Sequence, residues 1–405
     1  MADAVVVGAG IGGLTAAVAL QRRGWRVTVL ERAASLEPVG SGLAVAANAL
    51  KALDTIGVGD EIRALSAVQG DGGVRSASGR WLAKTSAEAM AARHGDSVVL
   101  LRRADLVDAL VARLAPGTIR LNTTVTGVDP ETGAVFLAPG EEPGGPANRT
   151  AEGGTGGAAA PLEADLVVAA DGIHSPVRAA LFPGHPGPRY SGTTSWRVLI
   201  AAEGVPGQAS ESWGAGKVFG IMPLAGGLTY CYATDTVPAG GGGGDQLAEL
   251  RRLFGAWHAP IPALLAAASQ ENVLRNDVYS LETPLPAMHR GRVALLGDAA
   301  HAMTPNLGQG ACQAIEDAVV LAHAAGTGEG PAGDVAARLP GYTAARLERT
   351  AKIVARSASI CRATKISSPL AVRLRDASMA LASRLAPARM AGAADEIFGW
   401  SPPAA

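Results

Sequence analysis

Residues 5–7 are an unbroken valine run, the pattern of a strand buried on both faces. Glycines at 8, 10, 12 and 13 follow at once, then an apolar helical stretch over 14–20 that Gly24 ends. Residues 27–30 predict a second strand, which closes at Glu31. Strand, helix and strand in that order open a βαβ unit. Two more buried runs recur downstream, within "DLVVAADGIHSPVR" and "VALLGDAAH", and each meets an aspartate at its carboxyl end, Asp171 and Asp298.

Between these landmarks the pattern changes twice. Residues 98–103 read as a strand or turn, 104–114 as a helix, 119–125 as a strand, and 135–137 as a strand pairing with 166–170. The intervening 138–162 are dense in Gly, Pro, Ala and Glu without apolar periodicity, which predicts a flexible surface insertion. Its Asn148-Arg149-Thr150 triplet matches a glycosylation site by chance. Over 190–235, short alternating runs of β-formers ("SWRVLIAAEG", "KVFGIMPLAGG", "LTYCYATD") mark a β-rich second domain. A glycine loop tip at 240–244, a helix near 246–257, a glycine-rich gap at 326–333 and an amphipathic helix over 342–365 complete the reading. No internal repeat is present. The expected division is 1–75, 98–185 and 286–340 for a nucleotide-binding domain, 76–97 and 186–285 for a substrate domain, and 341–405 for C-terminal helices.

Composition changes this picture little. A chain of 405 residues can bury a core of two or three domains. A formal net charge of -1 gives no basic excess for a nucleic acid or an anionic membrane. Cys231, Cys312 and Cys361 share no close spacing, so neither a disulfide framework nor a zinc site is expected, and no histidine has metal-ligand spacing. The apolar run at 4–7 is too short, and lacks the basic flank, for a secretory signal. These features predict a cytoplasmic protein.

The glycines carry the chemistry. Gly8-x-Gly10-x-x-Gly13 between a strand and a helix allows a tight turn and close approach of a pyrophosphate to the helix N-terminus. Glu31 stands where a carboxylate hydrogen-bonds a ribose hydroxyl. Asp171 and Asp298 sit at strand carboxyl ends, facing the crevice of such a sheet, although either alone is also a reasonable helix cap. Glycine is a poor opening for a helix, yet "MTPNLGQGACQAIEDA" opens one with Gly308 and Gly310. Something must come very close to that backbone.

This ordered set resembles the FAD-dependent aromatic hydroxylases, the 4-hydroxybenzoate hydroxylase-like monooxygenases, through about residue 365. It is most similar to the branch with salicylate, 3-hydroxybenzoate and urate hydroxylases and zeaxanthin epoxidase. The resemblance implies an α/β fold: a Rossmann-like FAD-binding domain of the glutathione-reductase type, an inserted mixed β-sheet substrate domain and a C-terminal helical segment. It places Gly8, Gly10, Ile11, Gly12, Gly13, Glu31 and Arg32 on the ADP half of FAD, with a backbone contact to adenine at Val125. Ser41, Gly42 and Arg103 belong to the same set, Arg103 toward the phosphates or ribityl chain. Asp171 and Gly172 match a motif attributed to both FAD and NAD(P)H. Gly297 and Asp298 match the ribityl-holding turn, and Pro305, Gly308, Gln309, Gly310 and Ala311 the loop and helix start beneath the flavin ring. Gln309 is either a donor to the flavin or a packing residue.

The activity implied is a monooxygenation driven by NADH or NADPH, in which a flavin C4a-hydroperoxide passes oxygen to an aromatic or polycyclic small molecule. The implied partners are that substrate and O2, with the protein a monomer or homodimer. Candidate pocket residues are Trp196, Trp213, Phe219, Met222, Tyr232 and Pro305, with Arg197 and Tyr230 as catalytic candidates. Arg197 suits a carboxylate or phenolate, or else an ordinary salt bridge. Tyr230 matches a substrate-contacting tyrosine of the urate branch, but Val218 stands where that branch has a basic residue, which argues against urate. His174 and His301 are expected to be structural, and His258 and His289 to lie at the surface. The alternatives are an epoxidase, a flavin oxidase, dehydrogenase or reductase of the same fold, and a non-catalytic relative like the Rab GDP-dissociation inhibitors.

Overall fold

The computed structural model describes residues 1–36, 40–66, 71–139, 160–201, 207–329, 334–385 and 387–404. The expected insertion at 138–162 and its glycosylation triplet therefore fall largely outside the described residues, as does part of the 326–333 gap.

A six-stranded sheet forms the first layer, in the order His289–Arg290, Val293–Leu295, Leu166–Ala169, Asp3–Val7, Arg26–Leu30 and Ile119–Arg120. Every pairing is parallel except the outer one, His289–Arg290 with Val293–Leu295. The three buried apolar runs thus lie side by side at its centre, and their carboxyl ends share one edge. The helix Ile11–Gln21 packs between this sheet and the helix Gly310–Ala325. Nine of its 11 residues are buried, which is why it has no polar face.

Seven strands form the second sheet: Leu274–Ser280, Arg189–Ala201, Leu228–Asp235, Lys217–Pro223, Ser210–Trp213, Asp71–Ser76 and Trp81–Ser86, in that order. Successive side chains alternate between its faces. Trp196, Val198, Ile200, Phe219, Cys231 and Ala233 pack on the helices Gln246–Phe254 and Ile261–Ala267. The opposite face turns Leu199, Met222, Tyr230 and Tyr232 toward Ala44, Val98 and Leu100.

Three expectations need correction. The strand Ala134–Leu137 does not pair with Leu166–Ala169; it joins Leu162–Glu163 and Val125–Val128 in a separate antiparallel sheet. The cause is burial: Leu166–Ala169 is buried at every position and suits the centre of a parallel sheet, whereas Ala134–Leu137 is buried only at its start. The strand expected over 119–125 breaks into Ile119–Arg120 and Val125–Val128, with Asn122 left-handed at φ 51° between them. The helix expected over 342–365 begins earlier, as Val335–Thr364, capped by Asp334, whose side chain accepts from Ala337 N. It is followed by the helices Pro369–Leu385 and Pro387–Phe398. Among the described residues no helix is long and apolar enough to cross a membrane.

Candidate active site

The glycine turn is built by close backbone contact. Gly8 is left-handed at φ 102°, and a Cβ on Gly13 would lie 2.0 Å from Gly8 O. The helix behind it starts at Ile11 with no side-chain cap and no acid in its first turn, so its N–H groups and positive dipole end are free for an anion. Glu31 braces the turn: Oε2 accepts from Ala9 N at 2.8 Å and Oε1 from Ala33 N at 2.9 Å. Each oxygen keeps a lone pair for a further donor.

From this turn a cavity of about 870 Å³ opens. Gly10, Ile11, Gly12 and Gly13 line it, with Ser41, Gly42 and Arg103. Gly172, Gly297 and Asp298 line it from the sheet's carboxyl edge, and Pro305, Gly308, Gly310 and Ala311 from the loop beyond. Arg197, Met222, Tyr230 and Tyr232 reach it from the second sheet. At Gly10, Gly172 and Gly310 an added Cβ would meet no protein atom within 4 Å, so each borders open cavity. The loop over Pro305–Leu307 and the left-handed Gly308, φ 62°, set the start of the helix Gly310–Ala325, which no side chain caps. Glycine-lined space beside two uncapped helix starts fits a long ligand with a pyrophosphate and a planar ring, as FAD has.

Several expected residues lie outside this lining. Gly8, Glu31, Arg32 and Val125 do not line the cavity. Asp171 also lies outside the lining, and one oxygen caps the helix Pro176–Leu181 through Val177 N at 3.3 Å. Its Oδ1 is buried without a partner. Gln309 turns inward, its Oε1 accepting from Asn48 Nδ2 at 3.0 Å and Gln313 Nε2 at 3.1 Å, which makes its side chain a packing group. Trp196 and Phe219 are not pocket residues: alternation puts them in the helix-covered core, where Trp196 Nε1 donates to Gln246. Trp213 is buried outside the lining, with the Arg375 guanidinium over its ring. His301 is buried as a structural residue and bonds Asp317, whereas His174 is exposed, with an edge contact to the Tyr279 ring. His258 and His289 are half-buried rather than surface groups, bonded to Ser212 at 2.7 Å and Thr343 at 2.6 Å.

Charge in the cavity is uneven. The Asp298 side chain is open to the cavity yet ringed by protein; that burial pushes its carboxyl up, and His301 and Arg103 pull it back. Burial lowers Arg103, which Asp298 partly restores. Burial pushes Tyr230 up to about 12, with Arg197 opposing.

The turn that carries Asp298 rests on residues the sequence reading missed. Asp317 Oδ2 accepts from Gly297 N at 3.0 Å and from His301 at 2.5 Å, while Arg346 Nε donates to Oδ1 at 2.6 Å. Arg346 also pairs with Glu316, which Arg349 and Asn48 join. Burial would raise Asp317, but His301 and Arg346 hold it down at about 2. Two adjacent acids inside an apolar helix were the available signal. Glu211 was missed too: it lines the cavity and accepts from Tyr232 and Trp213.

Against known families, residues 1–357 match the model described as FAD binding domain. The chain belongs to this FAD-binding-domain family. It is 38% identical over 358 residues, 87% of each chain, to the aurachin C monooxygenase/isomerase of Stigmatella aurantiaca. It is 32% identical to a Klebsiella pneumoniae FAD-dependent urate hydroxylase over 88% of this chain and 89% of that one. The crystal structure of Klebsiella pneumoniae HpxO with FAD and uric acid superposes with a TM-score of 0.84, at 28% identity, covering 98% of this chain and 97% of that one. The protein is an FAD-dependent aromatic monooxygenase, a family in which NAD(P)H is the usual reductant.

Proposed function

We propose that this monooxygenase hydroxylates a small aromatic or heteroaromatic molecule held between the 305–311 loop and the open face of the seven-stranded sheet. The observation that carries this reading is the single cavity that reaches from the glycine turn, past Asp298, to Tyr230 and Tyr232. When bound, FAD supplies the redox chemistry: it accepts hydride from NADH or NADPH and activates oxygen.

The chain's own residues do the rest. The turn at Gly8, Gly10 and Gly13 and the N-terminus of the helix Ile11–Gln21 take the pyrophosphate. Glu31 accepts a ribose hydroxyl, and Asp298 and Arg103 fix the linker between nucleotide and ring. The uncapped start of the helix Gly310–Ala325 offers N–H donors and a positive dipole end to charge that grows on the ring's edge. Asp317, through Gly297 and His301, positions the turn bearing Asp298. Leu43, Met222, Met303 and Leu307 keep water from the ring and orient the substrate. Arg197 and Tyr230 contact the substrate directly. Urate is a poor candidate, since Val218 is a buried apolar residue where a cation is expected for it.

The test is NADH and NADPH oxidation by the FAD-loaded protein against a panel of aromatic compounds, with products weighed by mass spectrometry. One compound should accelerate oxidation and gain one oxygen atom. Bound FAD with no NADH or NADPH consumed in the presence of any compound would move the assignment to an oxidase.

A further inference from the structure

Four strands bring Arg197, Tyr232, Gly220 and Glu211 into one row of the seven-stranded sheet. Arg197 pairs with Tyr232, Tyr232 with Gly220, and Gly220 with Glu211. At a strand spacing of about 4.8 Å, the row is roughly 14 Å long at the backbone. A Cβ on Gly220 would lie 2.1 Å from Tyr232 Cζ, so only glycine lets that ring lie across its strand to reach Glu211. The Tyr232 hydroxyl donates to Glu211 Oε1, and Trp213 Nε1 donates to Oε2 at 2.9 Å. Tyr232 and Glu211 are half-buried and both line the cavity.

That arrangement exhausts the donors. A tyrosine has one O–H, and here it is committed to Glu211; a carboxylate has none. What this end of the row presents to the cavity is lone pairs and negative charge. Burial pushes the Glu211 carboxyl up, and the Tyr232 and Trp213 donors offset part of that rise. The other end is the reverse: Arg197 Nη2 donates to Asn276, and its Nε is buried with no partner.

We propose that Glu211, held in place by Tyr232 and Trp213, is a specificity-determining residue. It selects aromatic ligands that present an O–H or N–H to its end of the row, and it rejects ligands that present a carboxylate or a bare acceptor there. Rejection follows from like charge and from lone pairs facing lone pairs, a penalty a merely apolar pocket does not impose. The inference rests on the reading that this sheet face meets the substrate.

The experiment compares three ligands of one ring system, 2-naphthol, 2-methoxynaphthalene and 2-naphthoate, binding to the FAD-loaded protein, followed by flavin difference absorbance and naphthalene fluorescence. The wild type should bind 2-naphthol about tenfold or more tighter than the ether, and 2-naphthoate should be weakest in Arg197→Met, where the cation at the far end of the row no longer offers a carboxylate a second orientation. Glu211→Gln should shrink the naphthol-to-naphthoate ratio by about tenfold or more, because the amide removes the charge and adds a donor. Tyr232→Phe leaves the charge in place and should still exclude 2-naphthoate. If Glu211→Gln does not fold, the wild-type ranking and Tyr232→Phe carry the test. Naphthoate binding Arg197→Met as tightly as naphthol, an unchanged ratio in Glu211→Gln, or no binding by any of the three overturns the inference. FAD content and NAD(P)H oxidation on the same samples separate the two readings: oxygen insertion with no naphthol preference overturns only the role of Glu211. A naphthol preference without turnover of any aromatic compound overturns only the proposed activity.

Discussion

The two sheets meet the same cavity in opposite ways. The six-stranded sheet offers its carboxyl edge, where strands end in glycine turns and the working groups are backbone N–H donors and one aspartate. The seven-stranded sheet offers a face, where the working groups are side chains from different strands. An edge site is specified by a few consecutive residues. A face site is specified by register, and each of its residues has a neighbour in sequence that points the other way.

The difference can be broken most severely at the charges beneath the edge. Arg346→Met would leave Glu316 and Asp317 buried without their main cation. A loss of about 3–5 kcal/mol is expected in chemical denaturation. A loss below about 1 kcal/mol would show that the edge does not depend on that network.

Phe219→Ala and Met222→Ala compare the two sides of one strand. Phe219 is in the helix-covered core against Phe254, and its removal should cost about 3–5 kcal/mol while leaving substrate KM unchanged. Met222 lines the cavity, so its truncation should raise KM several-fold with little effect on Tm. Equal effects on both quantities in both variants would erase the distinction between the faces.

Asp317 predicts an acid limb. Its folded-state value is depressed to about 2, so the stability it contributes is present above its unfolded value, about 3.9, and is lost as pH falls toward 2. The expected size is about 2 kcal/mol. Denaturation midpoints between about pH 5 and 2 should fall more steeply for the wild type than for Asp317→Asn. Parallel curves would show that Asp317 is not held down.

The smallest effect is expected at Asp298, whose side chain projects into the cavity and makes no hydrogen bond that supports the fold. Asp298→Ala should weaken FAD binding by about tenfold while the stability of the FAD-free protein stays within about 0.5 kcal/mol. Unchanged FAD affinity would remove Asp298 from the cofactor site.

The edge was legible in the sequence because its signals are local. Gly8 to Gly13 are six consecutive positions, and each aspartate follows its own buried strand. The exceptions there are instructive. Asp171 and Gln309 occupy the expected turns, but a helix cap and an inward hydrogen-bond network claim their side chains. The face was only half legible. Tyr230 and Tyr232 alternate within one strand, so their common direction is visible in sequence. Trp196 and Phe219 were read as pocket residues because aromatic character suggests a pocket, while only pairing and parity say which side they occupy. Glu211 was invisible for the same reason: only Trp213 among its partners shares its strand, and Tyr232 and Gly220, which bring it into the row, come from other strands.

The C-terminal helix has a consequence for how the molecule is made. Phe398 and Ala394 line the cavity that begins at Gly10, and Arg349 donates to the carbonyls of Glu396 and Ile397 beside the network under Asp298. The first strand emerges from the ribosome nearly 400 residues before the last wall is synthesised. Its neighbour Leu166–Ala169 waits in turn for Val293–Leu295. A nascent chain therefore carries an open, glycine-lined edge until residues 394–398 have been made, and the complete cavity exists only from that point on.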